Sequence, residues 1–289
     1  MRGIAVFKAE EPNGGDFSFT YSGSKQGDAA GLAAKLAIKR WAPHPESALA
    51  SSVSWSSSSG AMQLHRALLP KAADDSLLLS ADVHPMSILN VLLRPDQLLI
   101  AVDTWAEDAL TQRPSAGAKL LLIPQHNLVL ASRGSAQFFL KIYELCLQAS
   151  FRPDFTMEQL MAELGLVMDH LWPNYLQAAE DAGMSRGILH SELVLGGWSP
   201  KNGRMMATAY AKDAGGGPAR VQPLEGGVAS PGEPLRGRPD SFELEAVLEA
   251  GRLQADYLNE SMDRTVAGGR LLVADLRNGQ AIITDVAAI

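Results

Sequence analysis

The sequence predicts an α+β protein, a four-layer αββα sandwich in which sheets of antiparallel hairpins are stacked and helices lie outside. Short apolar, β-prone runs occur in neighbouring pairs joined by turn residues, and amphipathic helical patterns are grouped between those pairs. Two of the turns contain Asn-Gly, the strongest short-range signal for a hairpin. Helices grouped between runs of hairpins favour stacked sheets with helices on their outer faces.

The first two hairpins are predicted between residues 87 and 132. Apolar runs at 87–94 and 97–103 are separated by a turn that contains Pro95 and Asp96, and runs at 119–123 and 128–132 are separated by "PQHN". Four successive strands of this kind can share one antiparallel sheet.

Two helices are predicted next. Apolar residues recur with a helical period from near Ser135, and Thr156 followed three residues later by Gln159 forms a capping-box pattern. The second helix is expected to continue past Pro173 to Gly183.

The C-terminal part returns to strands. The runs "HSELVLGGWS" and "RMMATAYAK" flank an Asn-Gly turn, residues 213–240 read as a long Gly/Pro-rich loop, and Ser241–Met262 reads as a helix. A last hairpin turns on Asn278-Gly279.

Residues 1–86 differ from residues 87–289 in composition and in the pattern of apolar residues. They contain a short β-like piece at 3–7, an Ala-rich helix candidate at 29–41 and a run before Gly60 that is mostly serine. Such a composition offers little to bury, which predicts a poorly structured N-terminal extension followed by one domain over 87–289.

Composition excludes several classes of function. The chain has 289 residues, 46% of them hydrophobic and 20% charged, and a net charge of −7. An acidic chain without a basic face argues against nucleic-acid binding. The absence of an apolar run of about 20 residues, and of a secretory signal at the start, predicts a cytoplasmic protein that does not cross a membrane.

Neither a metal nor a cofactor is predicted. The single cysteine, Cys146, lies in a helical apolar pattern and reads as a buried thiol in a reducing compartment. The six histidines show no metal-ligand spacing, and the glycines at 215–217 lack the Lys-Ser/Thr that completes a phosphate-binding loop.

The residues most suggestive of chemistry are Ser87, Asp103, Lys119 and Gly134. Asp103 lies sixteen residues after Ser87 and Lys119 thirty-two after it, and a strand, a turn and another strand lead from Lys119 to Gly134. This register, with its flanking strands, resembles the proteasome-type branch of the N-terminal nucleophile (Ntn) hydrolases over Ser87 to Ile289. The resemblance implies an αββα Ntn-hydrolase sandwich and a proteasome-like amide-bond hydrolase or peptidase.

The resemblance also implies a role for each residue. Ser87 would be the nucleophile, and its own α-amine would take the hydroxyl proton, since a hydroxyl attacks poorly without a base. Lys119 would lower the effective pKa of the hydroxyl, and Asp103 would keep the ammonium charged and oriented. Backbone N–H groups near Arg133 and Gly134 would receive the oxyanion.

Some positions depart from the family pattern. The nucleophile is serine where threonine is usual, and Trp105 stands where active members often have a basic residue. Asp263 lies one residue too far from Gly268 to match the family motif, but is still a candidate to support the N-terminus. Ser230 is the candidate for a second supporting serine.

The mechanism requires a free amine at Ser87. Removal of residues 1–86 as a propeptide would supply it. So would a chain that begins at Met86, because methionine before a small residue is readily removed; residues 1–85 would then be an appendage or an over-extended reading frame.

Two alternatives to a peptidase remain open. One is a catalytically silent proteasome-like subunit that acts as an assembly or scaffold protein, and the other is a small-molecule amidase. The resemblance further implies self-association into a ring or stacked homo-oligomer through helical faces, with a peptide or other amide as substrate.

Overall fold

The computed structural model describes residues 4–10, 16–22, 87–238 and 240–289. The chain divides into two compact units, Met1–Ala73 and Asp74–Ile289. In the first unit, strands β1 (Ile4–Glu10) and β2 (Asp16–Ser22) form an antiparallel hairpin. The β-like piece predicted at 3–7 overlaps β1. The helix predicted at 29–41 and the serine-rich run lie outside the described residues.

The second unit contains a five-stranded antiparallel sheet, named sheet I here, in the order β12-β3-β4-β13-β14. Its strands, in chain order, are β3 (Leu89–Leu93), β4 (Gln97–Asp103), β12 (Gly227–Ser230), β13 (Arg270–Arg277) and β14 (Gln280–Ala288). Both hairpins predicted within this sheet, β3-β4 and β13-β14, are confirmed.

A second five-stranded antiparallel sheet, sheet II, has the order β11-β10-β9-β8-β7. Its strands are β7 (Leu120–Ile123), β8 (Leu128–Gly134), β9 (His190–Ser199), β10 (Arg204–Asp213) and β11 (Arg220–Pro223). The predicted Asn-Gly turn between β9 and β10 is confirmed, and Gly203 in it has φ +61°, which glycine adopts without strain.

Three α-helices occur among the described residues: α1 (Ala136–Ser150), α2 (Met157–Asp181) and α3 (Leu244–Met262). The predicted N-cap of α2 is confirmed, because Thr156 accepts a hydrogen bond from the N–H of Gln159. The predicted start of α1 near Ser135 is also confirmed, and the structure shows that Ser135 is its N-cap, which accepts a hydrogen bond from the N–H of Phe138. No helix in the described part of the chain is long and apolar enough to cross a membrane.

The two large sheets pack on one another through apolar side chains. Leu98, Ile100 and Val102 of β4 lie in the same buried cluster as Val129 of β8 and Val194 of β9. Alternate residues of β4, Leu99 and Ala101, face the other way and pack in a cluster with Val247 of α3. This alternation is why β4 is buried along its whole length.

The predicted four-layer αββα Ntn-hydrolase sandwich is wrong. The described chain consists mostly of antiparallel sheet, and only α3 lies against sheet I, whereas α1 and α2 lie against sheet II. One helix does not make a layer over five strands, and Ile282 and Ile283 of β14 remain 47% and 38% exposed. The helical patterns were identified in the sequence, but they are too few to cover both outer faces.

The sequence also missed short strands. A small hairpin, β5 (Trp105–Glu107) with β6 (Pro114–Ala116), follows β4, and β11 and β12 lie within the segment predicted to be a loop. Strands of three or four residues show too few alternations to be recognised against a background of Gly and Pro.

Candidate functional site

Ser87, Asp103 and Lys119 meet in one buried cluster where the strands of both sheets end. Lys119 Nζ lies 2.9 Å from Ser87 Oγ and 2.8 Å from Asp103 Oδ1. Asp103 is the last residue of β4, Ser87 lies just ahead of β3, and Lys119 lies just ahead of β7. The cluster therefore joins sheet I to sheet II.

Asp103 is held by backbone as well as by Lys119. Its Oδ1 accepts the N–H of Ile88 at 3.0 Å, and its Oδ2 accepts the N–H of Gly268 at 3.2 Å. The side chain is fully buried. Three donors fix both carboxylate oxygens, so the carboxylate can orient Lys119 and, through Ile88, the chain next to Ser87.

Burial governs the proton affinities of this pair. It raises the pKa of the Asp103 carboxyl, against the opposing effects of Lys119 and the two backbone donors. It lowers the pKa of the Lys119 ammonium, against the opposing effect of Asp103. A lysine with a lowered pKa holds a neutral amine more readily than a surface lysine does, and that amine can accept the proton of a neighbouring hydroxyl.

Gly134 lies at the end of β8, on the strand next to Lys119. The N–H of Ser132, two residues earlier, donates to the Lys119 carbonyl at 2.8 Å. Gly134 has φ +91°, and a Cβ there would lie 2.5 Å from the carbonyl oxygen of His190. Among the described residues no hydrogen bond links Gly134 to Ser87, so its oxyanion role stays a prediction.

Asp263 is not brought to the cluster by any hydrogen bond within the described ranges. It is exposed and ends α3 in the left-handed conformation, with φ 49°. Its support of the N-terminus stays a prediction. Gly268, five residues further on, is the residue of this region that contacts the cluster, through its N–H to Asp103.

A second buried polar group connects the two sheets nearby. Arg133 of β8 donates to both carboxylate oxygens of Glu192 in β9, at 2.6 and 3.0 Å, and also to Ser230 Oγ at the end of β12. All three side chains are buried. Ser230 is paired with Leu89, two residues from Ser87.

Sequence reasoning missed Glu192 and Gly268 and named Arg133 only for its backbone. A signal for Glu192 exists, since it is the one charged residue in an otherwise apolar and small-residue strand, "SELVLGG". Backbone donors such as Gly268 leave no such signal. No group of His, Cys, Asp and Glu that could hold a metal occurs in the part of the chain that the structure describes.

The fold and the site define a protein of two packed antiparallel sheets with a buried serine–lysine–aspartate cluster between them. No protein-family profile and no curated protein matches the chain. The solved structures similar to it include Anbu (ancestral beta-subunit) from Yersinia bercovieri, at 16% identity over 70% of this chain and 86% of that one, with a TM-score of 0.48. Anbu from Hyphomicrobium sp. strain MC1 is 12% identical over 69% and 87%, with a TM-score of 0.47.

A third similar structure is the helical assembly of the Anbu complex from Pseudomonas aeruginosa, at 15% identity over 68% of this chain and 87% of that one, with a TM-score of 0.48. At these identities and TM-scores the similarities assign neither an activity nor a partner. The predicted membership in the proteasome-type Ntn hydrolases is corrected on the architecture: the described chain is mostly antiparallel sheet with three α-helices and lacks the four-layer sandwich which that membership implies.

Proposed function

We propose that the protein hydrolyses amide bonds through an acyl intermediate on Ser87. The observation that carries this proposal is the 2.9 Å contact between Lys119 Nζ and Ser87 Oγ, in a buried cluster where Asp103 orients the lysine. A hydroxyl beside an oriented amine of lowered pKa is an activated nucleophile.

Ser87 Oγ attacks the carbonyl carbon and forms the Oγ–C bond, while its proton passes to a neighbouring amine. The tetrahedral oxyanion then collapses, the C–N bond breaks, and the same amine returns the proton to the leaving nitrogen. Water attacks the resulting ester by the reverse route and frees Ser87. Backbone N–H groups at Arg133 and Gly134 are the proposed partners of the oxyanion.

Two amines can serve as the base. The first is the α-amine of Ser87 itself, set free by removal of residues 1–86, with an ordinary pKa of about 7.7–8.0. The second is Lys119, which already lies within hydrogen-bond distance of the hydroxyl and whose pKa is lowered by burial. The second route requires no cleavage.

A catalytically silent assembly subunit is the competing function. The observation that favours it is that, in the intact chain, the nitrogen of Ser87 is part of the peptide bond to Met86. Self-association through helical faces is proposed with either function, and Leu140 in α1 and Tyr257 in α3, 50% and 40% exposed, are apolar side chains that such contacts would bury.

Covalent labelling of the purified protein tests these alternatives. The protein is incubated with a serine-reactive fluorophosphonate, and intact mass and peptide mapping locate the adduct. Hydrolysis predicts an adduct on Ser87 that disappears in Ser87→Ala and persists in the matched control Ser150→Ala, a buried serine at the end of α1.

The mass of the labelled species identifies the base. An adduct on a chain that still carries residues 1–86 assigns the proton to Lys119, and an adduct only on chains that begin at Ser87 assigns it to the α-amine. If no species carries an adduct, and light scattering finds the same oligomer for the wild type and for Ser87→Ala, the hydrolase is overturned and the silent subunit is favoured. Turnover of peptide and acyl-amide substrates by a reactive protein then separates peptidase from amidase.

A further inference from the structure

A buried pair of amide side chains lies behind the strand that leads to Ser87. Asn90 of β3 donates to Gln254 Oε1 at 2.7 Å, and Gln254 Nε2 donates back to Asn90 Oδ1 at 2.8 Å. Gln254 belongs to α3 and is fully buried, and Asn90 is 7% exposed. The two side chains thus form a reciprocal link between helix and strand.

Gln254 has a third partner. Its Nε2 also donates to the carbonyl of Pro231 at 2.8 Å. Pro231 follows Ser230, the end of the neighbouring strand β12, and Ser230 accepts a hydrogen bond from Arg133 of sheet II. One amide group on α3 therefore holds both strands at the edge of sheet I nearest to Ser87.

Ser87 needs such support because it lies outside the strand ladder. The pairing of β3 with β4 begins at Leu89. Among the described residues the backbone next to Ser87 is tied to β4 through Ile88, whose N–H donates to Asp103. Asn90 is three residues, about 10 Å along an extended chain, from Ser87. A small slip of β3 along α3 would move the hydroxyl away from Lys119.

We propose that Gln254 is a positioning residue for Ser87, which fixes β3 against α3 through Asn90 and so keeps the hydroxyl within reach of Lys119. This inference rests on the proposed function. A reciprocal amide pair can form in a single register, whereas an apolar pair of similar volume packs in several. Replacing both partners of a buried polar pair by apolar groups is often nearly neutral for stability, so the Asn90–Gln254 pair contributes geometry more than free energy. The carbonyl of Pro231 loses its donor in such a variant, which adds a cost in stability.

The test measures covalent labelling of Ser87 by a fluorophosphonate in the whole protein, with the rate constant of the covalent step separated from the concentration for half-saturation. In Asn90→Leu/Gln254→Met we expect the rate constant to fall roughly 10- to 100-fold, the effect of a misplacement of about 1 Å, with the half-saturating concentration unchanged. Amide hydrogen exchange at Ile88 is expected to become faster, because its bond to Asp103 loosens.

The matched control is Gln97→Met. Gln97 begins β4 and also makes an amide hydrogen bond in sheet I, a part-buried one to Asp275, but lies at the opposite end of the strand from Asp103. Its replacement removes a side chain of similar size and is expected to leave the labelling rate within about twofold, since six residue steps along β4, about 20 Å, lead from Gln97 to Asp103 in the cluster.

If the double variant does not fold, Gln254→Asn decides the matter, because it keeps an amide but is one methylene too short to reach both partners. An unchanged rate constant in a folded variant, or a fall no larger than that of Gln97→Met, would overturn the positioning role while the hydrolase stands. An absence of labelling in the wild type overturns the hydrolase and this inference with it.

Discussion

Lys119 Nζ and Ser87 Oγ lie 2.9 Å apart although the two residues precede strands of different sheets. Ser87 leads into β3 of sheet I and Lys119 leads into β7 of sheet II. Their contact therefore depends on how the two sheets pack. The apolar cluster between the sheets holds them together and so fixes the distance between Ser87 Oγ and Lys119 Nζ, over which the proton would move.

Replacing Lys119 by methionine is expected to remove labelling of Ser87 and to lower the free energy of unfolding by about 3–5 kcal/mol, because it leaves Asp103 buried without a cation. Urea unfolding and the labelling rate measure the two effects. Lys212→Met is the matched control: Lys212 is also buried, but its partner Asp169 is 30% exposed and can be hydrated. Wild-type labelling in Lys119→Met would contradict the assigned role of Lys119.

The labelling rate is expected to rise with pH and to level off above the pKa of Lys119, if Lys119 is the base. Burial lowers this pKa, so the midpoint should lie below 10.5. Asp103 acts to raise the pKa of Lys119, and Asp103→Asn should therefore shift the midpoint to lower pH. Rates measured across the pH range in both proteins test the sign; a shift to higher pH contradicts it.

Lys119 and Asp103 should also affect how the free energy of unfolding depends on pH. The pKa of Lys119 is lower in the folded chain, so between that lowered pKa and pH 10.5 the unfolded chain binds more protons and stability rises with pH. The pKa of Asp103 is raised, so between pH 3.8 and that raised pKa the folded chain binds more protons and stability falls as pH rises. Comparing unfolding free energies of wild type and Lys119→Met/Asp103→Asn over the pH range isolates both slopes.

Gly134→Ala is expected to be considerably more destabilising than Gly203→Ala. Both glycines have positive φ, which costs an alanine about 1 kcal/mol. At Gly203 a Cβ would meet nothing within 4 Å, whereas at Gly134 it would lie 2.5 Å from the His190 carbonyl oxygen, so backbone must shift. Thermal unfolding measures the stability of the two variants. Equal losses of stability would show that the backbone at the end of β8 shifts at little cost in free energy.

Arg133→Met should cost about 3–5 kcal/mol, because Glu192 is left buried without its cation. Arg133→Met/Glu192→Leu should lose less than the sum of the single losses, since no charge remains unpaired. A double-mutant cycle by urea unfolding measures the coupling between the two residues. Additive losses in the free energy of unfolding would mean that the Glu192 carboxylate becomes hydrated when Arg133 is replaced.

Much of the local structure could be predicted from the sequence. The N-cap Thr156, the helix start near Ser135 and the Asn-Gly hairpins were identified because caps, helix starts and tight turns depend on residues close together in the chain. The four-layer architecture was predicted wrongly, because the number of helices against each sheet depends on which faces meet, and periodicity does not reveal that. The strands β5, β6, β11 and β12 were missed because each has only three or four residues.

The candidate site, too, could be predicted from the sequence only in part. The spacing of Ser87, Asp103 and Lys119 could be read from the sequence, and so could the strands that they adjoin, because a short apolar run bounded by turn residues indicates a strand locally. That the three side chains meet, that the N–H of Gly268 joins them, that Glu192 pairs with Arg133 and that Gln254 lies behind Asn90 was decided by tertiary structure alone. Those contacts link residues up to 165 positions apart, and only the packing of one sheet on the other, and of α3 on β3, brings them within hydrogen-bond distance.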